Sequence, residues 1–118
     1  MKQFSLLIRV PDSYDTEQAK RVSPQWDILL EKWKKDGVYM LSFAFPGESY
    51  TVTGSEKTIR KESVLSGNLR VVSNVVLQSE TIEQALTLAS ACPILLHGGS
   101  VEVREIPKQL IRPLNYEI

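Results

Sequence analysis

The chain has 118 residues, 42 % of them hydrophobic and 24 % charged, with fourteen Lys/Arg balanced by fourteen Asp/Glu. That length suits one domain with its own core, and residues 1–118 are read as a single domain. The balance of charge argues against a nucleic-acid partner, because no basic stripe forms: Lys32, Lys34 and Lys35 sit beside Glu31 and Asp36. No apolar run is long enough for a membrane span, so no membrane partner is expected. One cysteine cannot form an internal disulfide, which points to the reducing cytoplasm.

Phe4, Leu6, Ile8 and Val10 alternate with Gln3, Ser5 and Arg9, the period of a strand, and Pro11-Asp12-Ser13 ends it with turn chemistry. Trp26, Leu29, Leu30 and Trp33 then follow at i, i+3, i+4 and i+7, the stripe of a core-facing helix. Ser23 is its expected N-cap, with Pro24 at the first helical position and Gly37 as the left-handed stop. Residues 16–22 also favour helix, so helix is expected on both sides of Pro24, continuous or broken.

Residues 38–45 (VYMLSFAF) are apolar on both alternating sets, interrupted only by Ser42. Two helices can cover one face of a sheet; the other face needs a partner, which is the sequence argument for a homodimer through the sheet face. Pro46-Gly47 turns the chain into a short strand at residues 50–53, with another expected within 58–64. Residues 69–77 read as a central strand holding the polar Ser73 and Asn74. Thr81 and Gln84 form a capping box for a second helix, with Ile82, Ala85, Leu86 and Ala89 on its stripe and Pro93 as its stop. Val101 and Val103 alternate with Glu102 and Arg104 in a last strand. The tail, residues 107–118, is apolar enough to dock on the body or on a partner subunit. The order is β-α-β-β-α-β with an extra central hairpin, a ferredoxin-like α+β fold.

Residues 92–106, CPILLHGGSVEVREI, preceded by the helix TIEQALTLASA, resemble the C-terminal half of the YCII-related proteins of the DGPF type. Trp26 and Gly37 also fall where that family carries a helical tryptophan and a helix-ending glycine. The resemblance implies a dimeric α/β barrel, in which two ferredoxin-like protomers stack their sheets face to face. The signature itself is missing. In a gap-free reading Asp-Gly-Pro-Phe falls on Lys61, Glu62, Ser63 and Val64, the following glutamate on Ser66, and the Gly-Gly-aromatic strand opening on Val72, Ser73 and Asn74. The family's acid therefore has no counterpart, and the first helix holds no histidine.

The candidate site residues are few. His97 is the chain's one histidine and the weak catalytic candidate, because its ordinary pKa lies near neutrality; the alternative is a packing role. Ser73 and Asn74 are candidate ligand contacts, since polar groups in a buried strand need partners. Trp26 and Trp33 are read as core or as a pocket wall. Gly98-Gly99 makes a bend, Cys92 packs, and Glu102 with Arg104 forms a solvated pair. One His and one Cys without acids at ligand spacing make no metal site, and GSEKT at Gly54 lacks the ending of a phosphate loop, so no metal or cofactor is expected. The leading functional reading is a small-molecule-binding or interaction module with a degenerate family site. The alternatives are a lyase or isomerase using His97 as acid/base, and an accessory to a transcription regulator.

Overall fold

The computed structural model describes residues 1–107, so the expected docking of the C-terminal tail falls outside the described residues. Strand β1 (Lys2–Val10) leads to α1 (Thr16–Lys35) and β2 (Tyr39–Ala44). The short strands β3 (Thr51–Thr53), β4 (Thr58–Arg60) and β5 (Leu65–Ser66) precede β6 (Leu69–Ser79), α2 (Ile82–Ala89), a 3₁₀ turn (Pro93–His97) and β7 (Ser100–Ile106). The main sheet is antiparallel with strand order β2-β6-β1-β7, and β5 adds to β6; β3 and β4 form a separate hairpin. The fold is thus α+β, as the element order in the sequence implies.

The period-two pattern of β1 sets which face is buried. Phe4, Leu6, Ile8 and Val10 point under the helices and are essentially inaccessible. The core joins them to Trp33 of α1, Val75 and Leu77 of β6, Ala89 of α2, and Cys92 and Ile94 at the 3₁₀ turn. The opposite face carries Ser5, Leu7 and Arg9 of β1, with Leu41 and Phe43 of β2 in register with Val76 and Asn74 of β6. No described element covers this face, and Leu41 and Phe43 remain about half exposed.

The helix ends show where local signals decide. Helix α1 runs unbroken through Pro24, and its N-cap is Asp15, whose carboxylate accepts the Gln18 backbone N–H at 2.9 Å, so the expected cap at Ser23 is corrected. Asp15 wins because it caps a helix eight residues longer than Ser23 would, and the missing N–H of Pro24 costs only one internal bond. Gly37 sits at φ +74° and passes its N–H to the Lys34 carbonyl, the expected left-handed stop. Helix α2 is capped by Thr81, which accepts the Gln84 N–H at 3.2 Å, and Pro93 opens the 3₁₀ turn. No described helix is long and apolar enough to cross a membrane.

Candidate functional site

An open groove of about 950 Å³ lies between the N-terminal half of α1 and the inner face of β2 and β6. The inner side of β2 places Ser42 here, which explains the polar interruption in an otherwise apolar strand. In β6 the pairing with β1 slips between Ile8↔Ser73 and Arg9↔Val71, leaving Val72 as an extra residue. Such a bulge turns consecutive side chains toward one side, and Val72 and Ser73 both line the groove. Trp26 and Leu30 of α1, with Val75, supply an apolar floor; Ser23, Ser42 and Ser73 place three hydroxyls along it. Phe45 closes one wall and packs edge-on against Phe43, ring centroids 5.5 Å apart at 82°.

One end of the groove is charged. Arg70, at the start of β6, reaches across to the loop between β1 and α1: it donates to the Pro11 carbonyl and to the Asp12 carboxylate through one nitrogen, and to the Tyr14 carbonyl through the other, each at 3.2 Å. The guanidinium thereby fixes the loop that carries Tyr14 into the groove, and burial pushes the Tyr14 phenol above its ordinary pKa. The groove's acids are already engaged, Asp12 with Arg70 and Asp15 with the first turn of α1. The arrangement offers an apolar slot with hydroxyl and guanidinium contacts.

The sequence candidates separate onto different surfaces. Trp26 and Ser73 meet in the groove. Asn74 lies on the opposite sheet face, where its side-chain carbonyl accepts the Ser5 hydroxyl at 2.9 Å. Trp33 is 1 % exposed within the core. His97 ends the 3₁₀ turn outside the groove lining, its Nδ1 2.8 Å from Gln18 Nε2. Because Arg21 donates to Gln18 Oε1 at 2.9 Å, the Gln18 amide nitrogen is the atom that faces His97 Nδ1. The Tyr14 and His97 rings stand 6.4 Å apart, so this cluster borders the groove at Tyr14 and, through Gln18, at Asp15.

Other readings are refined. Cys92 is buried, and desolvation pushes its thiol up to about 12. Glu102 takes its closer partner from Arg9, at 2.6 Å, with Arg104 at 3.3 Å; the solvated pair is a three-membered cluster on the open sheet face. The Arg9 hydrogen bond holds the Glu102 carboxyl below the usual range. Among the described residues no group of three His, Cys, Asp or Glu could hold a metal ion.

Sequence reasoning missed Tyr14, Ser42, Phe45 and Arg70. The available signal was Arg70 itself, the one charge in the β-branched stretch LRVVSNVVLQS. Compared with known proteins, the chain matches no family model and no curated protein.

Proposed function

We propose that the chain is a cytoplasmic small-molecule-binding module of the YCII-related kind, a homodimer whose ligand site is the groove between α1 and β2/β6. The observation that carries the reading is the groove's composition: an apolar floor at Trp26 and Leu30, three serine hydroxyls, and Arg70 at one end. That combination suits a small, flat, largely apolar molecule with a hydroxyl or weakly acidic group. The strand order β2-β6-β1-β7 with both helices on one face supports the ferredoxin-like arrangement, since it is the order a split pair of β-α-β units produces. The uncovered face bearing Leu41 and Phe43 supports the dimer. No observation favours the acid/base alternative, because His97, Ser73 and Asn74 occupy three surfaces.

The test is an amide NMR screen of the full chain with neutral phenols and aromatic carboxylates, repeated with Ser73→Leu, which fills the groove floor. Binding is expected to shift the amides of Trp26, Ser42 and Ser73 and to weaken at least about tenfold, or 1.4 kcal/mol, in the variant. Ligands that shift the amides around His97 and leave those three unchanged would overturn the assignment.

A further inference from the structure

The β3–β4 hairpin projects from the body. Val52 and Ile59 are cross-strand partners, so both side chains stand on one face of the hairpin, and they are 62 % and 70 % exposed. Its side-chain hydrogen bonds and ion pairs stay local: Tyr50 and Lys61 to Glu48, Thr51 to the Glu62 carbonyl, Ser63 to Ser49. Two strands of three residues are marginal in water without a surface to pack on. The radius of gyration, 15.9 Å, exceeds the roughly 13 Å of a compact domain of this length, as expected when part of the chain stands clear of its own core.

A second copy of this chain is the occupant the surface fits. Four strands about 4.8 Å apart and six to eleven residues long give the open sheet face a flat projection of roughly 500 Å². A stable interface buries about 800 Å² of accessible surface from each partner, so a face of this size leaves little margin. Part of the face is also charged, with Arg9, Glu102 and Arg104 on β1 and β7. Its most exposed apolar residues, Leu41 and Phe43, lie on the β2 side, where the chain leaves the sheet to make the hairpin. The apolar residues therefore continue along the chain from β2 into Tyr50, Val52 and Ile59, and a formal net charge of zero sets no barrier to self-association.

We propose that the β3–β4 hairpin is a dimerisation arm whose Val52/Ile59 face packs on the second copy and adds apolar contact area to that of the sheet face. This rests on the homodimer reading above, and one experiment separates the two. Sedimentation of the full chain is compared with Val52→Asp/Ile59→Asp and with Phe43→Asp, and amide hydrogen exchange is followed over residues 51–60. The wild-type chain is expected to dimerise at micromolar concentration with protected hairpin amides. The double variant should raise the dimer Kd at least about tenfold with unchanged far-ultraviolet circular dichroism.

A wild-type chain that stays monomeric, free or captured on lipid vesicles, overturns both readings. A dimer whose Kd moves less than about twofold in the double variant, or whose hairpin amides exchange freely, overturns the arm and leaves the sheet-face dimer standing. Loss of dimer in the double variant but not in Phe43→Asp supports the arm and overturns the sheet face as the main contact. Should the aspartates unfold the chain, Val52→Thr/Ile59→Thr keeps the β-branched shape while weakening the apolar contact, and its Kd decides.

Discussion

A β-carbon built on Gly99 would collide with Ile94 Cγ1 and stand 2.6 Å from the Arg9 carbonyl oxygen, so the end of the 3₁₀ turn lies directly on the backbone of β1. Gly99→Ala should therefore destabilise by about 1–3 kcal/mol, because a buried branch and a strand backbone must both move. At Gly98 the penalty comes from φ +81° instead, with only the Pro11 ring nearby. Gly98→Ala should cost about 1 kcal/mol. Urea denaturation of the pair measures both, and equal losses would contradict the packing argument. Cys92, in the same turn, makes the fold sensitive to alkali. Its thiol is raised to about 12 by desolvation, from an ordinary 9.0, so the folded chain holds the proton more tightly than the unfolded one. Stability from this group is complete below pH about 9 and is lost as pH rises from about 9 to about 12. Wild type should lose about 1.4 kcal/mol per pH unit there relative to Cys92→Ala, as read by denaturation at pH 8, 9.5 and 10.5; parallel curves would contradict the burial. The packing role of Cys92 was legible in the sequence. The pairing of Glu102 with Arg9 was not, because the two residues are 93 positions apart and meet only through the β1–β7 register.

Helix α1 is the element on which local signals conflicted. Ser23-Pro24 is a strong start signal, yet the helix begins at Thr16 and carries the proline in its interior. The structure instead caps the helix at Asp15, which accepts the Gln18 N–H, and the longer helix it starts also buries Val22. Pro24 leaves the Lys20 carbonyl without its helical donor and forces a steric accommodation. Pro24→Ala should thus stabilise the chain by about 1–2 kcal/mol, read as a higher urea midpoint with an unchanged slope. A lower midpoint would mean that a bend at Pro24 is needed to seat Trp26 and Trp33. The second helix gave no such conflict at its ends, since its Thr81 cap and Pro93 stop agree. Of its expected stripe only Ala85 and Ala89 are buried, while Ile82 and Leu86 are exposed and Leu88 packs on the core instead. Strand β6 was legible as an element but not in its bulge, because the slip at Val72 is a property of its pairing with β1 and leaves no periodic trace of its own.

At the scale of the molecule, fold class was more legible than site. Alternation and helical stripes report which residues are buried, and the burial pattern largely fixes how the layers stack. The groove combines Tyr14, Trp26, Ser42 and Ser73, residues far apart in sequence, and no single segment reports that they converge. The sheet carries a temporal consequence. β1 precedes the other strands of this sheet along the chain, but its partners are β6 and β7: Phe4 lies opposite Leu77 on one side and Glu105 on the other. On the ribosome its apolar residues therefore emerge long before either neighbouring strand exists. The sheet closes only when β7 has left the tunnel, and until then β1 is an open edge for any other extended chain. Because β1 waits for β6 and β7, loop-closure entropy is met before this part of the core forms, which slows folding relative to a sheet built from neighbouring hairpins.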